Sequence, residues 1–325
     1  MRREARKLRR AQLRPKLLAL CLLSAVLQIS SDQHSPCWSL ALVGDVMLGR
    51  DVARALDGSW AAALADVQTL LFSADLAFGN LESPLTAAPY PPPRPDSPVA
   101  NADDLRAPPD AVAALEEPGF DVMSLANNHA LDGGPAGLLE TISTLQAAAI
   151  TALPHGTSAC LALPAETCWL ALDDSASGVD MDEATATIAA LDRTGSFVVV
   201  SVHWGGEYQA APSPRQQALA ATLVAAGADL IVGHGPHVLQ RIEWIGHTAV
   251  LFSLGNLLFD QSNPKDARQG AIVLVTIERG EVVSIEAVPT VTSGGRVELA
   301  EAEDALAVLT RLGLDSDGAG RAAPH

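Results

Sequence analysis

Several residue types and patterns are scarce in this sequence, and each scarcity excludes a class of protein. Only four of the 325 residues are cysteine and none forms a Cys-x-x-Cys pair, so a zinc site built from thiolates is not expected. The net charge is −17, from 21 basic and 38 acidic side chains, which argues against nucleic acid as a partner. No apolar run reaches the roughly 20 residues of a membrane-spanning helix. The chain is nonetheless 48% hydrophobic, enough for a large folded core.

The basic residues are concentrated at the N-terminus. Residues 1–16 carry eight Lys or Arg and one Glu, whereas the other 309 residues carry a net charge of −24. A short apolar run at 17–29 and polar residues at 30–33 follow, an order typical of an export signal. We therefore predict a signal peptide or membrane anchor with its linker at 1–38. The protein would be extracellular or anchored to the outer face of the cytoplasmic membrane.

Three cysteines lie outside that apolar run. Cys160 and Cys168 are close in sequence and could form a disulfide in an oxidising compartment, in which case Cys37 would be the odd cysteine. Three ordinary thiols are equally compatible with the spacing.

Short apolar runs alternate with Ala-rich amphipathic segments from residue 39 onward, which predicts an α/β fold with a largely parallel sheet. Strands are predicted at 40–43, 76–78, 122–125, 197–202, 230–232, 250–254, 271–277 and 282–288. Helices are predicted at 51–71, 134–149, 182–191, 213–226 and 301–312. The last two strands meet at Arg279-Gly280, which indicates a hairpin and a mixed sheet. Residues 86–101, with six prolines, are predicted as a surface loop, and 315–325 as a frayed tail.

Polar side chains that can bind metals follow the predicted strands. Ligands of an open α/β sheet bind outside the carboxyl ends of its strands, so these side chains should share one edge. They are Asp45, Asn80, Glu82, Asn127, Asn128, His129, Asp132, His203, Glu207, His234, His237 and Asn256, with Arg50 close to the first. Carboxylates, amides and imidazoles suit one or two divalent ions such as Mn, Fe or Zn. Each cluster alone has a structural explanation, such as a turn or helix cap at Asp45, but the joint pattern is more specific.

Six sequence motifs carry a family resemblance, in the order GDVMLGR (44–50), NLESPLT (80–86), SLANNHALDGG (124–134), HWGGEY (203–208), GHGPHVLQ (233–240) and FSLGNLLFD (252–260). With them the sequence resembles the CapA family of poly-γ-glutamate capsule synthesis proteins over about residues 39–289. That family is similar to the calcineurin-like metallophosphoesterases. The resemblance implies a single metallophosphatase-like domain over 39–290, a four-layer α/β/β/α sandwich with mixed sheets, followed by a helix and tail at 291–325.

The resemblance also implies roles for particular residues. The metal ligands would be Asp45, Glu82, Asn128, His203, His234 and His237; the catalytic residues would be His129, as general acid, and Asp132; and Asn80, Asn127, Arg50, Glu207 and Asn256 would line the site. Two departures from the superfamily pattern leave the number of ions open. Met47 replaces the histidine that usually follows the first aspartate, and Asn80 lies in the motif that supplies a bridging aspartate.

Three functions remain open on the sequence alone. The first is a metal-dependent hydrolase acting on a phosphoester or a γ-glutamyl amide. The second is a non-catalytic accessory protein in the export or assembly of an anionic polymer such as poly-γ-glutamate. The third is a small-ligand binding module on the same fold. The expected partners are that polymer or a phosphoester, and the membrane if the N-terminal segment is uncleaved. No nucleic acid is expected.

Overall fold

The computed structural model describes residues 37–89, 104–162, 164–175, 178–315 and residue 318. Residues 1–36 of the predicted export segment, most of the proline-rich loop and most of the predicted tail lie outside these residues. Within the described ranges, no helix combines the length and the apolar character needed to cross a bilayer.

Fourteen strands are described in chain order. They are β1 (Trp38–Val46), β2 (Leu76–Leu81), β3 (Val122–Ser124), β4 (Thr151–Leu153), β5 (Ser158–Leu161), β6 (Thr167–Asp173), β7 (Phe197–His203), β8 (Leu230–His234), β9 (Leu239–Ile245), β10 (Thr248–Leu254), β11 (Asn256–Leu258), β12 (Gln269–Glu278), β13 (Glu281–Ser293) and β14 (Arg296–Leu299). They form two sheets. The first has the order β14-β13-β12-β1-β2-β3-β4, with β11 paired to β1, and the second has the order β5-β6-β7-β8-β10-β9.

Both sheets are mixed. Strands β1 to β4 are parallel, and β12 pairs antiparallel with both β1 and β13. In the second sheet β6, β7, β8 and β10 are parallel, with β5 and β9 antiparallel at its edges. The predicted hairpin at Arg279-Gly280 is confirmed. Both residues have positive φ, 55° and 80°, as a two-residue type I′ connection requires.

Seven α-helices flank the sheets in the described part. They are α1 (Arg50–Leu56), α2 (Gln68–Ser73), α3 (Ala113–Glu116), α4 (Gly134–Ala147), α5 (Met181–Asp192), α6 (Pro214–Ala225) and α7 (Ala302–Leu312). The single helix predicted at 51–71 is wrong, because α1 ends at Leu56. Asp57 and Gly58 take left-handed conformations there, with φ of 45° and 79°, and stop the helix.

Three apolar clusters define four layers. Side chains alternate across a strand, so Ala41 and Val43 of β1 face the cluster shared with α1 to α4, while Leu40 and Leu42 face the cluster between the sheets. Alternate residues of β7 likewise pack against α5 and α6. The predicted α/β/β/α metallophosphatase-like sandwich with mixed sheets is therefore confirmed. Helix α7 contributes Val308 to the cluster between the sheets.

A disulfide joins Cys160 of β5 to Cys168 of β6, which are directly opposite each other in the second sheet. Of the two alternatives that the sequence left open, the structure therefore has the paired form.

Candidate metal centre

Strand register brings the predicted ligands together. In the first sheet Asp45 of β1 lies beside Asn80 of β2, and Glu82 follows directly after β2. In the second sheet the last residues of β7 and β8, His203 and His234, lie beside each other. Because these carboxyl ends meet where the two sheets pack, residues as far apart in sequence as Asp45 and His237 come into contact. We call Asp45, Glu82, His203, His234 and His237 the ligand cluster.

Asp45 lies at the centre of this cluster and has no exposed surface. Its Oδ1 accepts a hydrogen bond from Nδ2 of Asn80 at 2.9 Å, and its Oδ2 accepts one from the backbone N–H of Gly235 at 3.3 Å. The Nδ1 atoms of His234 and His237 lie 3.5 and 3.3 Å from its carboxylate oxygens. Burial acts to raise the pKa of Asp45, but the two imidazoles outweigh it and hold that pKa well below its usual range.

Glu82 is the second fully buried carboxylate. Its Oε1 lies 3.3 Å from Nε2 of His203 and 3.9 Å from Nε2 of His237. Asp45, Glu82 and His237 each offer one ligand atom, and these three atoms lie within 4.8 Å of one another. That spacing allows one cation to contact all three side chains.

The imidazoles show how much negative charge is gathered here. Burial acts to lower the pKa of His203, but Asp173 and Glu82 outweigh it and raise the value to about 10. The pKa of His237 rises to about 9 against the effect of burial, because of Glu82 and Asp45. The cluster therefore stabilises positive charge, whether a proton or a metal ion carries it.

Buried atoms without partners provide a test of whether these residues fit a metal. Neither ring nitrogen of His234 has a hydrogen-bond partner within the described ranges, and neither has Oε2 of Glu82. Such atoms cost about 1–3 kcal/mol each when left unsatisfied, and a cation can satisfy both an imidazole nitrogen and a carboxylate oxygen. Two carboxylates and three imidazoles without a thiolate form a donor set for Mn, Fe or Zn. The residues fit a divalent ion.

Asn256 orients one of these ligands. Its Nδ2 donates to the carbonyl oxygen of Ala267 at 2.8 Å and to Oε1 of Gln261 at 3.0 Å, so its Oδ1 is the acceptor that faces Nδ1 of His237 at 3.0 Å. This contact places the proton of His237 on Nδ1 and leaves Nε2 towards Glu82.

The two predicted asparagines after β3 differ in position. Asn127 is buried, and its Nδ2 donates to Oδ1 of Asn80 at 3.0 Å and to the carbonyl oxygen of Leu81 at 2.9 Å. Its Oδ1 accepts the backbone N–H of His129, which closes a turn and directs Asn127 inward. Asn128, the predicted ligand, is exposed and lies outside the ligand cluster.

The predicted acid pair lies at the margin of the cluster. Nδ1 of His129 is 3.0 Å from Oδ2 of Asp132, and that same oxygen accepts the backbone N–H of Leu105. Burial acts to lower the pKa of His129, but Asp132 and the charge of Glu82 outweigh it, so the pKa is raised. The shift favours the protonated imidazole, and the His129 side chain remains 15% exposed.

The remaining predicted residues lie further out. Glu207 is exposed. Arg50 is the first residue of α1 and pairs with Asp260 through its Nε at 3.0 Å and through Nη2. Met47, in the position of a usual histidine ligand, is buried among apolar side chains on the helix side of the first sheet, and its Sδ accepts the N–H of Gly49. Met47 therefore belongs to the core.

Sequence reasoning missed Asp173, whose Oδ1 lies 3.6 Å from Nδ1 of His203. Asp173 is the last residue of β6, which was not predicted as a strand, so its position beside His203 could not be predicted. It also missed Tyr208, the last residue of the HWGGEY motif. The ring of Tyr208 lies 6.3 Å from that of His237, a contact that no sequence pattern signals.

Comparison with known proteins now identifies the family. The model of the family described as "Bacterial capsule synthesis protein PGA_cap" matches residues 39–160 and 154–261. The chain belongs to this family. This PGA_cap protein combines the four-layer metallophosphatase-like fold with the buried ligand cluster described above.

Curated relatives of this PGA_cap chain come from several bacteria. It is 29% identical over 286 residues to "Capsule biosynthesis protein CapA" of Bacillus anthracis, covering 77% of the chain and 66% of the relative, slightly under two thirds. It is 29% identical over 277 residues to "PGA biosynthesis protein CapA" of Bacillus subtilis, covering 77% and 70%. It is 26% identical over 287 residues to a "Probable polyglutamine synthesis accessory protein" of Mycobacterium tuberculosis, covering 75% and 73%.

Proposed function

We propose that this chain is an exported metal-dependent hydrolase that cleaves a phosphoester or a γ-glutamyl amide during synthesis of an anionic capsule polymer. The observation that carries the proposal is the ligand cluster. It brings two buried carboxylates and three buried imidazoles together, and some of their nitrogen and oxygen atoms have no hydrogen-bond partner in the described residues. Membership of the PGA_cap family supports the link to capsule synthesis.

A divalent ion bound by the cluster would polarise a substrate oxygen as a Lewis acid and lower the pKa of water. The chain supplies the proton transfer. His129, whose pKa is raised, donates a proton to the departing oxygen or nitrogen, a step typically worth about 10²–10⁴-fold in rate. Asp132 accepts at Nδ1 of His129 and fixes the orientation of the ring.

Other residues hold the ligands in place and exclude water. The chain of amides from Asn127 through Asn80 fixes one oxygen of Asp45, and Asn256 fixes His237. Asp45 and Glu82 have no exposed surface. Charge interactions are stronger in such a water-poor site than at the surface.

Export is the second part of the proposal. The order of basic, apolar and polar segments at the N-terminus supports it, and so does the Cys160–Cys168 disulfide, because disulfides persist in oxidising compartments. The polymer or a phosphoester would be the partner, and the membrane would be one if the N-terminal segment stays uncleaved. The net charge of −24 beyond residue 16 supports a function without nucleic acid.

A non-catalytic accessory function is the second candidate. Met47 occupies the position of a usual ligand, which reduces the donor set, and the relative from Mycobacterium tuberculosis is named as an accessory protein. This candidate keeps the metal as a structural or polymer-binding element and requires no turnover.

Turnover by the metal-loaded full chain separates the two. An aryl phosphodiester and a γ-glutamyl anilide are offered to the wild type, to His129→Gln and to His247→Gln, whose histidine is exposed in the turn between β9 and β10. We expect turnover of at least one substrate, lowered about 100-fold or more in His129→Gln and unchanged in His247→Gln. Fully loaded protein that turns over neither substrate would favour the accessory function. Binding of either substrate without product would favour the small-ligand module.

A further inference from the structure

Strained backbone is concentrated beside the ligand cluster. Six non-glycine residues in the described part have positive φ, and three of them, Arg50, Tyr208 and His237, are neighbours, with φ of 46°, 60° and 57°. Bulky side chains rarely adopt this conformation, and it is retained mainly where function requires it. Arg50 begins α1 and Tyr208 lies in the segment after β7, so a local sequence effect does not explain why both are close to His237 and Phe259.

Aromatic contacts connect these residues to the cluster. The buried ring of Phe259 lies 5.0 Å from that of His237, and the guanidinium carbon of Arg50 lies 5.8 Å from the centre of the Phe259 ring. The ring of Tyr208 lies 6.3 Å from His237. Arg50 and Tyr208 are therefore connected through the neighbouring rings of Phe259 and His237.

Arg50 and Tyr208 remain open to solvent while His237 is buried. The side chain of Arg50 is 30% exposed and Tyr208 is 38% exposed. Asp260 fixes the plane of the guanidinium through two nitrogens and is itself 10% exposed. We call Arg50 and Tyr208 the rim.

We propose that the rim binds an oxyanion of the substrate, a carboxylate or a phosphate, next to the ligand cluster. Arg50 supplies a fixed positive charge and planar donors, and the neutral phenol of Tyr208 donates one hydrogen bond. Phe259 and Asp260 are positioning residues, because they orient Arg50 without themselves offering a donor to an anion. This inference rests on the proposed function and narrows its substrates to those with a negative group beside the bond that breaks.

The surroundings of the rim suit an extended substrate. An open groove of about 410 Å³ begins at Phe259 and Asp260 and continues past Thr292. Arg268 lines it, and its Nε donates to the carbonyl oxygen of Thr292 at 3.2 Å. A substrate that extends beyond the rim would meet Arg268 as a second cation, beside the carboxylates of Asp51 and Asp260.

Calorimetric titration of the full-length, metal-loaded protein tests this proposal with two probes, inorganic phosphate and γ-glutamylglutamate. The variants are Arg50→Gln and Tyr208→Phe, and the matched control is Arg54→Gln, one turn along α1, with a 74% exposed side chain paired to Asp51. We expect Arg50→Gln to weaken binding about tenfold or more and Tyr208→Phe to weaken it several-fold. Arg54→Gln should bind as the wild type does.

The two probes distinguish the sources of the oxyanion. Loss of phosphate binding alone assigns the rim to a phosphoester, loss of γ-glutamylglutamate binding alone assigns it to a carboxylate, and loss of both assigns it to the shared chemistry. The proposal would be overturned if Arg50→Gln and Tyr208→Phe both bind the two probes as tightly as Arg54→Gln does. It would also be overturned if the wild type binds neither probe. Metal content, measured in every sample, separates this failure from failure of the proposed function, because the rim variants leave the ligands intact.

Discussion

Nδ2 of Asn80 donates to Oδ1 of Asp45 across 2.9 Å, and both side chains are fully buried. A second carboxylate at this place would face Asp45 at hydrogen-bond distance and repel it. The amide instead holds Asp45 in position, and it is held in turn by Asn127. The motif that supplies a bridging aspartate in the calcineurin-like metallophosphoesterases thus contains a positioning amide here.

Asn80→Asp should therefore destabilise the metal-free protein and increase its response to metal. The variant loses a buried hydrogen bond and adds like charge beside Asp45, which we expect to lower the free energy of unfolding by about 1–3 kcal/mol. A bound divalent ion would offset the repulsion, so excess Mn²⁺ should raise the melting temperature of the variant more than that of the wild type. Asn128→Asp, at the exposed position next to Asn127 in the sequence, is the control. It should change neither the free energy of unfolding nor the response of the melting temperature to Mn²⁺. Equal behaviour of the two variants would contradict this account of Asn80.

The stability of metal-stripped protein should fall at alkaline pH. The pKa values of His203 and His237 are raised from 6.5 to about 10 and about 9, so protonation of both residues favours the folded state. That contribution is complete below 6.5 and is lost as the pH rises through about 9 and 10, at about 1.4 kcal/mol for each unit of pKa difference at most. Asp45 acts oppositely, because its lowered pKa stabilises the fold above its usual 3.8 and the contribution is lost at lower pH.

Urea unfolding at a series of pH values checks this expectation. The free energy of unfolding of the metal-stripped wild type should decrease between about pH 6.5 and pH 10, and His203→Gln should flatten that decrease. His247→Gln, with its exposed ring, should follow the wild type. A wild-type profile that is flat over this range would show that the two imidazoles do not carry the proposed charge.

The disulfide should contribute measurably to stability. Cys160 and Cys168 are separated by 8 residues, and closing a loop of this size corresponds to about 2–3 kcal/mol by the loop-entropy estimate. Cys160→Ser combined with Cys168→Ser should lower the free energy of unfolding by that amount. Adding a reductant to the wild type should have the same effect and should leave the double variant unchanged. An unaffected wild type would indicate that the two thiols do not pair in solution.

Continuous apolar runs made much of the fold predictable. Strands such as β7 and β8 are buried on both faces and read as unbroken hydrophobic segments. Strand β6 is almost as buried, but it begins with Thr167 and Cys168, so its sequence does not read as a continuous apolar run and it was not predicted. The three-residue β11 is too short to give a periodic signal, and its existence depends on pairing with β1.

The sequence predicted the site residues that lie at the ends of strands. It did not predict those whose place in the site depends on the orientation of a side chain. Asp45, His203 and His234 were identified because each is the last or next-to-last residue of a strand. The choice between Asn127 and Asn128 depends on one side-chain hydrogen bond to a turn N–H, which the sequence does not show. The contacts of Tyr208 with His237 arise only from tertiary packing.

Metal content is the most direct test of the central claim that the ligand cluster binds a divalent ion. Elemental analysis compares the purified full chain with a His203→Ala/His237→Ala double variant and with His247→Ala. The account predicts at least one equivalent of Mn, Fe or Zn per chain in the wild type and in His247→Ala, and its loss in the double variant. Wild-type protein without metal after reconstitution, or a double variant that retains it, would contradict the claim.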